Sequence, residues 1–250
     1  STYEYALGTT SGGTETIDWT STGTSTADTL TGLSLTEGLT YYLSTRATDV
    51  AGNLSDIVTG DGIMIDLTPP VTGAVYDGIE LQQLSDEAFT GSDTSLIGSW
   101  ESFGDDVSGI AGYEVSIDNG AIYPWTWVGD VSTNRIEGLS LAHGAGHTFD
   151  VRAVDKAGNT SALASSNGIQ VDTQPPSSTV DVVSLYYNQT YWDQATHIQG
   201  SAADGDSESG LTSVEVQIVD STSGNYFNGS GWTSEASWLV PSGTDSWSYE

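Results

Sequence analysis

The sequence predicts an all-β chain: tandem β-sandwich domains in a linear array. Three observations carry this. Apolar residues alternate at period two, turn-forming residues recur at short intervals, and the chain repeats itself at a spacing of about one sandwich.

The alternation is clearest at residues 41–47. Tyr41, Leu43, Thr45 and Ala47 fall on one face, and Tyr42, Ser44 and Arg46 on the other. Residues 147–153 follow the same pattern, which places His147, Phe149, Val151 and Ala153 inward. Period-two alternation is the mark of a half-buried strand. Gly, Asn and Asp punctuate the chain roughly every eight to twelve residues, as a sandwich requires. No stretch has helical periodicity.

The repeat is explicit. Gly32-Leu33-Ser34-Leu35 matches Gly138-Leu139-Ser140-Leu141. Arg46-Ala47-Thr48-Asp49-Val50-Ala51-Gly52-Asn53 matches Arg152-Ala153-Val154-Asp155-Lys156-Ala157-Gly158-Asn159. Ile65-Asp66-Leu67-Thr68-Pro69-Pro70 matches Val171-Asp172-Thr173-Gln174-Pro175-Pro176, all at an offset of 152 − 46 = 106. A second set, at offset 101, pairs Ser108-Gly109-Ile110 with Ser209-Gly210-Leu211 and Glu114-Val115-Ser116-Ile117 with Glu215-Val216-Gln217-Ile218.

A Pro pair donates no backbone hydrogen bond and favours an extended path, so each one reads as a stiff linker. The expected domains are 1–68, 69–174 and 175–250. The first begins at Tyr3-Glu4-Tyr5-Ala6-Leu7, whose counterpart lies well inside the second, so it is expected to lack its early strands. The third stops before any Asp-x-Ala-Gly-Asn and is expected to lack its late ones. The window reads as one cut from a longer array, and Ser1 without a leader suits a processed chain or an internal fragment.

Leu35-Thr36-Glu37-Gly38-Leu39-Thr40-Tyr41, followed by Arg46-Ala47, resembles the E–F corner and F strand of fibronectin type III domains. Trp100 falls where that family has its B-strand tryptophan. The Ala-x-Asp-x-Ala-Gly-Asn turn and the Val-Asp-Thr-x-Pro-Pro linker resemble the tandem repeats of very large bacterial surface proteins and adhesins, and the third domain is closer to a bacterial Ig-like unit. Two departures stand out: His147 replaces the corner tyrosine, and Ser201 lies near the position of Trp100. The resemblance implies complete or partial seven-stranded sandwiches in series. It implies little about function, because such sandwiches host many.

Composition narrows the function. Among 250 residues, 4 Lys+Arg face 34 Asp+Glu, a net charge of −30. Such a surface repels phosphate, which argues against nucleic-acid and anionic-membrane partners. No apolar run approaches the roughly 20 residues of a membrane helix. The chain has no cysteine, so disulfides and thiolate sites are impossible, and a single lysine, Lys156, excludes a repeated isopeptide staple.

The acidic residues cluster. Asp105-Asp106-Val107-Ser108-Gly109 and Asp204-Gly205-Asp206-Ser207-Glu208-Ser209-Gly210 both fall between the second and third strands of their units. The resemblance implies that this B–C loop shares a pole with the F–G turn, where the preceding domain arrives. Asp66, Asp105, Asp106 and Asp155 would then meet at the first junction, and Asp172, Asp204, Asp206 and Glu208 at the second. Oxygen ligands in that number suit Ca²⁺, which takes six to eight. The competing reading is solvated turns, since Asp, Asn and Gly are what tight turns need. Asp-x-Ala-Gly-Asn alone is turn chemistry. Carboxylates converging in a chain almost without cations are what call for an ion.

Aromatics give a second signal. Tyr123, Trp125 and Trp127 alternate on one strand, and Tyr226, Phe227 and Trp232 flank the hairpin signal Asn228-Gly229, with Trp238 and Trp247 beyond. Exposed, they would stack on glycans; buried, they are core and edge packing. No catalytic motif joins His143, His147 or His197, and no enzyme is expected. The sequence reads as a non-catalytic extracellular or cell-surface spacer stiffened by calcium. Its expected partners are neighbouring repeats or neighbouring chains in a fibre. The alternatives are a carbohydrate-binding adhesive module and a fibre subunit completed by strand donation.

Overall fold

The computed structural model describes residues 1–78, 84, 86–181, 198–205 and 209–249. Those residues form strands and turns, with a single 3₁₀ turn at Asp118–Gly120 and no α-helix.

The first unit is one sheet. β1 (Thr2–Gly8), β2 (Ile17–Gly23), β3 (Thr40–Thr48) and β4 (Val58–Thr59) lie in the order β2-β1-β3-β4, and β5 (Ile63–Met64) pairs with β3. Tyr41 is buried, and its hydroxyl accepts the Thr36 N–H at 3.0 Å, closing the tyrosine corner that the sequence resembles. Leu43, on the apolar face of the alternation, is exposed. Its equivalent, Phe149, is fully buried because a second sheet covers it; among the described residues no second sheet covers Leu43. Ser44, on the other face, is buried instead, bonded to Thr59 Oγ1 at 2.8 Å and to the Gly12 N–H at 3.1 Å.

The middle unit is a two-layer sandwich. β6 (Ala74–Gly78) is followed by β7 (Phe89–Thr90), β8 (Ser95–Glu101), β9 (Ile110–Ile117) and β10 (Tyr123–Gly129). Then come β11 (Thr133–Glu137), β12 (Gly146–His147), β13 (Phe149–Asp155), β14 (Ala164–Ser165) and β15 (Ile169–Val171). One sheet runs β11-β8-β6 and the other β10-β9-β13-β14, with β12-β15-β7 closing an edge. These are the places of strands A, B and E against C′, C, F and G, the fibronectin type III arrangement.

Between the layers lies a core of Leu96, Trp100, Val115, Ile117, Phe149, Val151, Ile169 and Val171. Trp100 packs on Tyr113 at 5.4 Å and on Phe149 at 6.3 Å between ring centroids. The Phe149 ring crosses directly over Gly98: a Cβ there would lie 2.2 Å from it. His147 takes the corner position differently from Tyr41. It is buried, and its Nδ1 lies 2.7 Å from Asp118 Oδ2.

The third unit builds one sheet, β16-β17-β20, from β16 (Ser177–Val180), β17 (Ile198–Ala203) and β20 (Ser246–Tyr249). β18 (Tyr226–Phe227) and β19 (Trp232–Thr233) form a separate hairpin. Ser201 is exposed, and Trp247 on β20 fills the core beside Ala202 and Val214, lying over Gly200. The hairpin turn is longer than Asn228-Gly229 alone. Phe227 pairs with Trp232, and Asn228 Oδ1 accepts the N–H groups of Ser230 and Gly231.

Trp100→Ala should cost about 3–5 kcal/mol in the middle unit, because the site cannot collapse around so large a cavity. Gly98→Ala should cost about 1–3 kcal/mol by overpacking against Phe149. Calorimetric unfolding of the full chain checks both, and unchanged melting of the middle unit would contradict this packing.

Candidate metal centre

The first junction is assembled from three separate segments. Asp66 lies in the linker, Asp105 in the β8–β9 loop and Asp155 at the end of β13. Their carboxylate oxygens lie within 4.8 Å of one another. Asp66 and Asp155 are buried.

Each carboxylate is held by backbone N–H groups. Asp105 Oδ1 accepts from Val107, Ser108 and Gly109 at 3.1, 2.8 and 2.6 Å. Asp155 Oδ1 accepts from Ala157 at 2.9 Å and Asn159 at 2.8 Å. Asp66 Oδ1 accepts from Thr68, and its Oδ2 from Ser108, both at 3.1 Å. Asn159 then ties the pieces together, its Nδ2 donating to Asp155 Oδ2 at 2.9 Å and to the Asp66 carbonyl at 3.1 Å.

The first unit separates turn chemistry from the rest. Asp49 and Asn53 form the same loop, with the Asn53 N–H and Nδ2 both 2.8 Å from the Asp49 carboxylate, on an exposed surface. The Asp-x-Ala-Gly-Asn turn is therefore complete on its own. What the junction adds is Asp66 and Asp105. Lys156 also reaches it, with Nζ 3.4 Å from where a Gly109 Cβ would stand. Asp106 is exposed and outside the cluster: Asp105 caps the turn that follows, and the next side chain faces outward.

The second junction repeats the linker contact. Asp172 Oδ2 accepts the Ser209 N–H at 2.7 Å, and its Oδ1 accepts that of Gln174 at 3.1 Å. Asp204 Oδ2 accepts the Gly210 N–H at 2.7 Å. His143 lies beside the pair, its Nδ1 3.7 Å from Asp172 Oδ1. Asp206 and Glu208 lie outside the described residues.

The electrostatics follow the geometry. Burial pushes Asp155 up, but hydrogen bonds from the Asn159 side chain and from the Asn159, Ala157 and Gly158 backbone outweigh it and leave it below the usual carboxylate range. Hydrogen bonds from Ser209, side chain and backbone, likewise hold Asp172 low. Two buried polar atoms at the junctions have no partner: Ser108 Oγ at the first and Asp204 Oδ1 at the second. A donor set of carboxylates, a carbonyl and a hydroxyl is all oxygen, as Ca²⁺ or Mg²⁺ requires.

The aromatics divide otherwise than the alternation predicts. Tyr123 packs against the core, whereas Trp125 lies outside beneath Arg152, 4.4 Å from the guanidinium to the ring centroid. A register shift between Tyr123 and Thr126 separates them. The same outer motif recurs in the first unit, with Arg46 over Trp19 at 4.1 Å. Each Arg also bonds a Glu: Arg46 to Glu4 at 2.8 Å and Arg152 to Glu114 at 2.7 Å.

The middle unit has the strand order of a fibronectin type III β-sandwich, the first unit closes the corresponding corner at Tyr41, and the linker contact of Asp66 recurs at Asp172. No family model matches it. A stretch of 171 residues is 33% identical to exoglucanase B of Cellulomonas fimi, which is 67% of this chain but 14% of that protein. The chain therefore spans a small part of this relative. The solved FN1–FN3 domains of chicken CNTN1 match with a TM-score of 0.34 and 13% identity, over 95% of this chain and 74% of that one. A Ca²⁺-stabilized adhesin with which an Antarctic bacterium binds ice matches with a TM-score of 0.33 and 18% identity, over 84% of this chain and 47% of that one. The strand order, not these distant likenesses, carries the fold assignment.

Asn159→Ala should cost about 1–2 kcal/mol, because it strips donors from Asp155 and from the Asp66 carbonyl together. Asn53→Ala, at the exposed loop, should cost less. Asp155 has a folded pKa below its unfolded value, so its contribution is present above about pH 4 and lost as pH falls through the folded value. Urea melts of the three chains between pH 2.5 and 6 check this, and equal costs for the two Asn variants would contradict the bridging role.

Proposed function

We propose that this chain is a non-catalytic spacer of an extracellular or surface-attached protein, with a Ca²⁺ ion at each junction locking one repeat against the next. The observation that carries this reading is the convergence of Asp66, Asp105 and Asp155 from three segments, one of them the linker. Ser108 Oγ and Asp204 Oδ1, buried without partners, fit the donor set of such ions. No helix among the described residues is long and apolar enough to cross a membrane, which is compatible with this placement. Neighbouring repeats are the expected partners. A divalent ion bound only when the linker is docked stabilises that state by mass action.

The name of exoglucanase B favours a second reading, in which the array separates modules of a polysaccharide-acting enzyme. Trp127, Trp232 and Trp238, all exposed, would then offer ring faces to a glycan.

Calorimetric titration of chelator-treated chain with Ca²⁺ should show about two sites, and Asp66→Asn and Asp172→Asn should each remove one. At 100 times the dissociation constant the ions should add about 2.7 kcal/mol per site. No heat and no melting shift would reject the calcium lock. Binding of cellulose or chitin by the chain, lost on Trp232→Ala, would favour the second reading.

A further inference from the structure

The inner face of the β6-β8-β11 sheet carries Val75, Leu96, Trp100 and Ile136, with Asp77 as its one carboxylate. This residue is 1% exposed, on the same face as Val75 and opposite Gly98, where the Phe149 ring crosses. Its Oδ2 accepts the Gly168 N–H at 3.1 Å, and the Ser166 hydroxyl bonds the same carboxylate. Its N–H donates to Asp86 Oδ1 at 3.2 Å, and its carbonyl accepts the Glu87 N–H at 2.9 Å. Asp77 Oδ1 is buried with no donor to meet, and the carboxyl beside it is that of Asp86.

Two carboxylates in contact cannot both ionise without cost. No cation is at hand. Arg46 and Arg152 hold Glu4 and Glu114, Arg135 reaches Ser95, and Lys156 lies beside Gly109. The elements packed around Asp77 bring Gly98 and Ser99 from β8, Phe149 from β13, and Ser166 and Gly168 from the β14–β15 edge. Of the other titratable groups on these elements, Asp150 is bonded to Ser165 and Asn119, and Glu101 to Tyr76. His147 bonds Asp118 through Nδ1, and both line the same cavity as Asp86, where His147 Nε2 is buried without a partner.

We propose that protonated Asp77 donates to the Asp86 carboxylate, and that this bond is a pH-sensitive clasp holding residues 86–88 against the β14–β15 edge. Burial, reinforced by the charge of Asp86 and opposed by the Ser166 hydroxyl, pushes Asp77 up to about 6. The folded value is above the unfolded one. The clasp therefore contributes fully below about pH 4 and is lost as pH rises through about 6. This is the reverse of Asp155 and Asp172. Once Asp77 ionises, this bond is lost and residues 86–88 loosen from the edge while the core around Trp100 stays.

The test is unfolding of the full chain in chelator between pH 4.5 and 8, for wild type, Asp77→Asn and Asp86→Asn. In the wild type, one extra proton bound by the folded state raises the unfolding constant up to tenfold per pH unit below about pH 6, levelling off above it. Asp77→Asn should be flat in that window and, since it can donate to Asp86, should melt above wild type at pH 8; Asp86→Asn, which leaves Asp77 buried, should level off at a lower pH than wild type. If Asp77→Asn does not fold, exposed Asp86→Asn and the carboxyl ¹³C titration of Asp77 carry the test. Variants with the wild-type pH profile, or an Asp77 resonance titrating near pH 4, would overturn the clasp. So would Ca²⁺ stabilisation at pH 8 that either variant abolishes, which would put an ion where the proton is placed.

Discussion

One hydrogen bond recurs at both joints of the chain, and the arrangement of repeats depends on it. An aspartate just before a Pro-Pro pair accepts the backbone N–H of a serine in the next unit's B–C loop: Asp66 from Ser108 and Asp172 from Ser209. A Pro-Pro linker alone is stiff but gives no direction. Anchored at the aspartate, it fixes where the next sandwich begins. The bond also obliges a carboxylate to sit in a loop already lined by Asp105 or Asp204. The contact that aligns the repeats is therefore the one that concentrates their charge.

That tension runs through the molecule. With a net charge of −30, the chain has few cations to neutralise its carboxylates. Two of its arginines are committed to outer Trp–Arg–Glu stacks on β1–β3 and β9–β13. The remaining negative charge is managed locally. Hydrogen-bond donors, backbone N–H groups among them, surround Asp155 and Asp172 and favour their ionised forms. Asp77 has only one backbone N–H and a neighbouring carboxylate, and favours the protonated form. The same side chain is thus placed in two opposite electrostatic settings within one sandwich.

Much of this was legible in the sequence. Strands and corner follow from alternation and from Tyr41, and the offset of 106 matches Asp66 with Asp172. Four features were not legible. Leu43 lies outside because period two assigns a face, while burial depends on what covers that face. Trp125 parts from Tyr123 because a register shift, invisible to strict alternation, moves it to the outer surface. Asp106 leaves the cluster because its neighbour caps the turn, a choice two adjacent aspartates do not announce. Asp77 was missed for a further reason. Val75-Tyr76-Asp77 reads as a strand ending in a turn, and only the tertiary fold shows that it faces Phe149 and Ser166.

The most direct measurement is small-angle scattering from the full chain in Ca²⁺ and in chelator, at matched ionic strength. An ion-locked array should be longer with calcium, with a narrower distance distribution, and Asp66→Asn should shorten it toward the chelated form. Superimposable profiles in the two conditions would show that the linker aspartates align the repeats without an ion, and would contradict the calcium lock.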